Sequence, residues 1–593
     1  MKANVNKMTK EIETFLCDPL RTTTVVGFRS FYKNDLNNNL RKMSLAVVPL
    51  LLSACNSERQ KLLGNLGDGV INALESLTNE SQPVSTAYTI NSTVPLEIHG
   101  DGTSSEEIEV TGAVVASPII SGHPLIDFTF SAAGTVDFAN VTDVKNVSIS
   151  TSTAGASFTN LSTDIEKVIV TETQSGDWAI SFKPNSFATL YFDWTNNTGV
   201  SVDLTSLTLN EVGQLAFKNS GQEPITIPLL NLDPDDTQRI EIGNDNDGDI
   251  IFSSATNLNG TTALKTMKLS TWNDGDIILG TPGVSGFPDL KELTSIAIEA
   301  SSTGAITIGD LGTTTAIDNI SSIAMTTQGA PINIGSINAK KINNIIASGE
   351  EFSSINIGNI TIDETILDFT LGGASEITLG AFSGEGTVSL DASGMSKKGI
   401  MLDFSALKGS VDVTTTSHDD IVSLGVGAGK VICGAGDDTI TVIANAIGNA
   451  DIRCGDGVDI ITLSSQSGTD LVEPGGTSVS TIIGSATDHA TIICDKIINF
   501  DPNSDTIGFG STTANETNFL SETDATSFSN ALSKANTAMG SGKTYYLSYN
   551  VASATDGYGL LFYDSDGNGT GDTCISLVGI ITDTFTYENL VIV

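Results

Sequence analysis

Ile306-Thr307-Ile308-Gly309, Ile332-Asn333-Ile334-Gly335, Ile355-Asn356-Ile357-Gly358 and Ile377-Thr378-Leu379-Gly380 are four copies of one short phrase, and Ile278-Leu279-Gly280 precedes them as a shorter copy. The glycines step by 29, 26, 23 and 22 residues. A second phrase, apolar-x-x-apolar-x-apolar, alternates with the first. It reads Leu264-x-x-Met267-x-Leu269, Leu293-x-x-Ile296-x-Ile298 and Ile320-x-x-Ile323-x-Met325, with Ile342-x-x-Ile345 following. Two different short strands in fixed order, repeated every 22–29 residues, are what one coil of a parallel β-solenoid writes. Alternate strand residues point inward and stack on the next coil, and the glycine permits a tight corner between faces. The competing reading is a β-sandwich whose short strands recur every ~10–12 residues. The periodic set favours the solenoid over residues 236–415. Over 84–235 the phrase is sparser, as in Val144-x-x-Val147-x-Ile149 and Ile165-x-x-Val168-x-Val170, so a sandwich and an irregular solenoid both stay open there.

Composition agrees with an all-β fold class. The chain has 593 residues, 39% hydrophobic and 17% charged, with 58 Gly against 15 Pro. That balance is neither that of a charge-rich disordered chain nor that of a multi-span membrane protein. Acidic residues outnumber basic ones by 70 to 28, a net charge of −42. Residues 1–62 hold ten basic and five acidic residues, so the remainder carries 18 against 65. Such a surface repels nucleic-acid phosphates and anionic lipid and favours divalent cations as partners. The four histidines, His99, His123, His418 and His489, fall at no metal-protease spacing, and no phosphate-binding loop or serine-nucleophile elbow is present. No acid/base or nucleophile–base pair stands out, so the chain reads as a non-enzyme.

The N-terminal segment 1–56 contains Arg41-Lys42-Met43, the apolar run 45–52, and Ser53-Ala54-Cys55. A basic stretch, a short apolar stretch and small residues before a cysteine form a signal pattern. It resembles a bacterial lipoprotein box, which would make Cys55 the acylated mature N-terminus; an ordinary buried helix is the alternative. Residues 57–83 carry apolar positions at helical spacing (Leu62, Leu63, Leu66, Val70, Ile71, Leu74) and predict a short amphipathic helix. Helical patterns then almost vanish until about residue 525.

The residues most specific for chemistry lie in 416–510. Cys433-Gly434-Ala435-Gly436-Asp437-Asp438-Thr439-Ile440-Thr441 and Cys454-Gly455-Asp456-Gly457-Val458-Asp459-Ile460-Ile461-Thr462 both fit the nonapeptide G-G-x-G-x-D-x-U-x with cysteine first. A degenerate earlier copy ends at Asp420. Asp420, Asp438 and Asp459 are spaced 18 and 21 apart, and two nonapeptides make one coil of 18, so these carboxylates are expected to stack along one edge. Hard Ca²⁺ takes six to eight oxygens, and the glycines let backbone carbonyls face inward. The candidate metal residues are therefore Asp420, Gly434, Gly436, Asp437, Asp438, Gly455, Asp456, Gly457 and Asp459.

These turns resemble the calcium-binding β-roll of RTX (repeats-in-toxin) proteins exported by type I secretion. Ile497-Ile-Asn-Phe500-Asp-Pro-Asn-Ser-Asp505-Thr-Ile507 is similar to a segment that closes such rolls, and Gly559-Leu-Leu-Phe-Tyr-Asp564-Ser-Asp566-Gly-Asn568-Gly to a strand and turn near their C-termini. The latter also reads partly as an EF-hand loop, with Asp564, Asp566, Asn568, Gly569, Thr570 and Asp572 at positions 1, 3, 5, 6, 7 and 9, but Ile575 at position 12 in place of a bidentate glutamate. A weak calcium site or a plain acidic turn is expected there. Asp245, Asp247 and Asp249 form a third acidic cluster without a correctly placed glycine.

The resemblance implies a parallel β-solenoid ending in a calcium β-roll, with 511–593 as a C-terminal cap or secretion region. In style the Thr/Ser/Ala/Val-rich chain is most similar to RTX-type surface-layer proteins of Gram-negative bacteria. That implies an exported, calcium-stabilised subunit at the cell surface or outer membrane, partnered by copies of itself and by lipopolysaccharide. An adhesin or carbohydrate-binding surface protein is the alternative, and a polysaccharide-active enzyme comes third. A C-terminal type I signal and a lipoprotein signal imply different export routes. Cys433 and Cys454 hold the same repeat position on neighbouring coils, close enough for a disulfide, and a reduced stack serves equally well.

Overall fold

The computed structural model describes residues 87–592 apart from short internal stretches, the longest being 480–493. The lipoprotein-like box with Cys55 and the 57–83 helix lie outside the described residues.

Residues at the first phrase form a ladder of parallel strands. Ile277–Leu279, Ile306–Ile308, Pro331–Ile334, Ser354–Ile357 and Glu376–Leu379 pair in strict sequence. Ile306 aligns on Ile332, Ile332 on Ile355 and Ile355 on Ile377, and all four are buried. The second phrase builds the facing sheet: Thr266–Thr271, Ser295–Ala300 and Ser322–Thr327, then the second half of Ile337–Gly349. Met267, Ile296, Ile323 and Ile345 form its buried inner column. Each fully buried aliphatic side chain contributes about 1.5–3 kcal/mol, so the interior columns are what hold one coil on the next.

Between 286 and 407 each coil gains a third short strand. Gly286–Asp289, Asp310–Thr315, the opening residues of Ile337–Gly349 and Ile360–Gly373, then Phe382–Gly384 and Ala406–Leu407 stack in that order. After 411 that strand is absent among the described residues, and each coil is a two-strand roll. Val411–Thr414, Gly429–Ile432, Ala450–Arg453 and Leu471–Glu473 stack on one side. Met401–Asp403, Ile421–Leu424, Thr439–Val442, Ile460–Thr462 and Lys496–Ile498 stack on the other.

The open choice over 84–235 is decided for the solenoid. Strands from Ala87–Ile90 to Val212–Asn219 are parallel, and Val212–Asn219 pairs with Arg239–Asn244 across residue 235 without a break. This stretch fills its interior with aromatics, Phe128, Phe158, Trp178, Phe192, Trp194 and Phe217.

The corner glycines serve a purpose other than backbone freedom. A Cβ at Gly335 would lie 2.2 Å from Asp310 Oδ1, one at Gly358 would lie 2.8 Å from the Gly335 carbonyl carbon, and one at Gly380 would lie 2.6 Å from the Asn359 nitrogen. Only glycine lets successive corners approach so closely.

The last coil is closed by Thr573–Val578, which is parallel to Lys496–Ile498 and antiparallel to Tyr558–Tyr563, itself antiparallel to Tyr545–Val551. A helix, Phe528–Met539, starts at Ser527, whose side chain accepts the Asn530 N–H, and shares a buried cluster with Tyr546, Leu560, Phe562 and Cys574. It shields the outer face of the cap sheet.

Candidate metal centre

The turns of the roll are positioned by glycines in left-handed backbone: Gly434 at φ 100°, Gly436 at 119°, Gly455 at 83° and Gly457 at 148°. A Cβ at Gly455 would sit 1.9 Å from the Gly434 carbonyl oxygen, and one at Gly457 would sit 1.8 Å from that of Gly436. The spacing of the nonapeptide thus has a double physical cause, handedness and stacking.

These turns carry a ladder of buried carboxylates. The Ile400 N–H donates to Asp420 Oδ1 at 2.6 Å, and the Asp420 N–H to Asp438 Oδ1 at 2.8 Å. The Asp438 N–H donates to Asp459 Oδ1 at 2.9 Å, and the Asp459 N–H to Asp495 Oδ1 at 3.2 Å. Asp420, Asp438 and Asp459 therefore stack along one edge, and Asp495 extends the stack by a fourth rung. The second oxygens differ. Asp420 Oδ2 accepts the Thr416 N–H and Asp495 Oδ2 the Gly476 N–H, whereas Asp438 Oδ2 and Asp459 Oδ2 are buried with no hydrogen-bond partner. Burial, reinforced by the neighbouring carboxylates, pushes Asp438 up to about 8, Asp459 to about 7 and Asp495 to about 6.

Asp437 and Asp456 face solvent beside this ladder. Asp437 Oδ1 accepts the Val458 N–H, its own N–H donates to Asp419 Oδ1, and Asp456 joins the stack through its backbone to Gly434 and Gly436. On the opposite edge Asp470 and Asp505 make a second ladder: Asp470 Oδ1 accepts the Ala450 N–H and Asp505 Oδ1 accepts the Asp470 N–H. Burial raises both carboxyls.

Among the described residues, Asp564, Asp566 and Asp572 each bring one carboxylate oxygen within 4.8 Å of the other two. The loop between the two cap strands brings them together, and Gly567 and Gly569 turn it at φ 72° and 85°. Asp564 accepts the Gly567 and Gly569 N–H groups at 2.8 and 2.9 Å, and Asp572 Oδ2 accepts the Ser565 N–H at 2.7 Å. The Ser565 hydroxyl bond is the largest of the effects that lower the Asp572 carboxyl. Asn568 Nδ2 donates to Asp566 Oδ2.

The third acidic cluster is not gathered. Asp245 is paired with Lys218 at 2.6 Å, Asp249 Oδ1 accepts the Asp276 N–H of the next coil, and Asp247 is exposed.

The donor chemistry fits a hard divalent cation in two places for different reasons. The cap loop gathers three carboxylates, and the ladder holds two carboxylate oxygens that lack a proton donor. Two parts of this arrangement escape sequence reasoning. Asp495 lies 36 residues beyond Asp459, a double step with no G-x-G-x-D phrase before it, and Asp470 sits in no nonapeptide. Asp505 is the acid of the closing segment, and its two oxygens accept the Asp470 and Asp501 N–H groups. No family model matches the chain, and no curated protein matches it.

Proposed function

We propose that this chain is a calcium-stabilised structural protein of the bacterial cell surface, a self-assembling surface-layer subunit with an RTX-like β-roll. One observation carries the reading: like carboxylates stack in the interior of the roll with Asp438 Oδ2 and Asp459 Oδ2 unpaired. A divalent cation supplies the charge such a ladder needs, and its binding free energy becomes folding free energy, about 2.7 kcal/mol at a ligand concentration of 100 Kd. At the low Ca²⁺ of a cytosol the roll stays loose, and outside the cell it sets. The acidic exterior then lets the same ion bridge subunits to one another or to lipopolysaccharide.

The test is electron microscopy of purified full-length protein with Ca²⁺ and with chelator, alongside its melting temperature. Ordered sheets that disperse in chelator support the surface-layer reading. A Tm that ignores Ca²⁺ overturns it. Monomers whose Tm rises with Ca²⁺ favour the second reading, an adhesin or carbohydrate-binding protein. That reading draws on two exposed aromatics, Trp272 and Phe352, which follow the same column of strand ends, Thr271, Ala300, Thr327 and Gly349.

A further inference from the structure

All four cysteines among the described residues are buried, and they fall into two neighbouring pairs. Ile432 aligns on Arg453 in the parallel ladder, which sets Cys433 beside Cys454 on the next coil, and the Cys433 N–H donates to the Arg453 carbonyl at 2.8 Å. Both side chains point inward like Val431 and Ile452 two residues earlier, and their thiols lie within hydrogen-bonding reach of each other. Lys496 aligns on Ser576 and the Ser576 N–H donates to the Asp495 carbonyl, so Cys494, just before that ladder, packs close to Cys574, whose own strand partner on that side is Thr477. These two face outward into the cluster under the helix Phe528–Met539. Cysteines scattered at random over some five hundred residues would seldom land as two close couples.

We infer that Cys433–Cys454 and Cys494–Cys574 are two disulfide sites that staple coil to coil and the cap to the last coil. Cys433 and Cys454, as parallel neighbours, hold their Cα atoms about 4.8 Å apart, inside the range of roughly 4.4–6.8 Å that a disulfide spans, and Cys494 and Cys574 meet side by side in one buried cluster. In each bond two thiols lose two protons and two electrons, and the sulfurs join. The electrons pass to a small disulfide oxidant, which is cleaved to two thiols through a mixed-disulfide intermediate. Once the protein is folded, all four sulfurs are buried and closed to an oxidant in solution. The bonds therefore form while the chain is still closing its last coils. The inference is independent of calcium and of surface-layer assembly.

The experiment uses the full chain with Cys17→Ser and Cys55→Ser, refolded in mixed reduced and oxidised glutathione, and mapped by non-reducing peptide mass spectrometry. Circular dichroism of the reduced protein verifies folding. Peptides joining Cys433 to Cys454 and Cys494 to Cys574 are expected, with an intact mass lower by two hydrogens per bond and a Tm several degrees higher that dithiothreitol reverses. Four thiols open to alkylation after unfolding, or bonds between any other cysteines, overturn the inference. One bond without the other overturns it for the missing pair. The double variant Cys494→Ala/Cys574→Ala separates the staples: it should lose part of the Tm gain and keep the Cys433–Cys454 peptide.

Discussion

Asp438 and Asp459 each spend one oxygen on the coil before and keep the other, Oδ2, buried and unpaired. Their partners in charge are more carboxylates, so either a proton or a cation must settle them. The direction follows from linkage. An aspartate held at about 8 when folded and near 3.9 when unfolded binds its proton more tightly in the folded state. The stability this confers is whole below pH ~4 and is lost as pH rises towards 8. Metal-free protein should therefore melt at steadily lower temperature between pH 5 and 8, and Ca²⁺ should flatten that slope by replacing the proton. A scanning-calorimetry series at both conditions reads it directly, and a metal-free Tm that climbs with pH contradicts the ladder. Asp438→Asn keeps the Oδ1 acceptor and removes the charge. At pH 8 without metal it should stabilise by about 1–3 kcal/mol, because it removes a charge buried among like carboxylates, and it should shrink the Ca²⁺ increment.

At the scale of elements the solenoid is a contest between stacked side chains and the room left at the corners. Gly455 illustrates the second. Its φ of 83° and the 1.9 Å approach a Cβ would make to Gly434 O both forbid a side chain. Gly542 shares the handedness at 94° but faces open space. Gly542→Ala should cost about 1–2 kcal/mol, the left-handed penalty alone, and Gly455→Ala distinctly more. Urea unfolding of the two variants compares them, and equal losses would mean the coils do not stack as described. This contrast also marks what the sequence makes legible. The isoleucine columns of 266–379 repeat one phrase in fixed order because each inward position asks for one aliphatic side chain. Before 235 large aromatics such as Trp178, Trp194 and Phe217 do the same filling over longer strands, so the period blurs and the solenoid hides. The third strand hides too: Phe382–Gly384 and Ala406–Leu407 are two or three residues of no particular pattern. In the site, the G-x-G-x-D phrase marks Asp438 and Asp459, and its degenerate earlier copy marks Asp420. The fourth, Asp495, lies 36 residues beyond Asp459 and belongs to no copy of the phrase. The helix Phe528–Met539 shows the start of its amphipathic pattern near residue 525, as short alanine-rich helices with a Ser cap do.

Across the whole molecule, the few lysines are placed to tie coils together. Lys218 reaches Asp245, Lys268 reaches Glu241, Lys340 reaches Asp318, Lys398 reaches Glu376 and Lys408 reaches Glu385. Exposed pairs of this kind are worth about 0–1 kcal/mol each, too little to offset a net charge of −42. Stability must come from nearest-neighbour stacking, and in a quasi-one-dimensional fold each coil answers mainly to the coils beside it. A perturbation of the carboxylate ladder should then stay local. The ladder sits between Ile400 and Asp495, while the isoleucine columns of 266–379 are sealed by aliphatic contacts that owe nothing to a cation. Hydrogen exchange with and without chelator should show amides of 416–510 losing protection by at least tenfold, with those of 266–357 unchanged. Protection lost uniformly from 87 to 592 would mean that the chain unfolds as one cooperative body. Protection retained everywhere would mean that the buried aspartates are held by protons alone, and the metal would have no part in the fold.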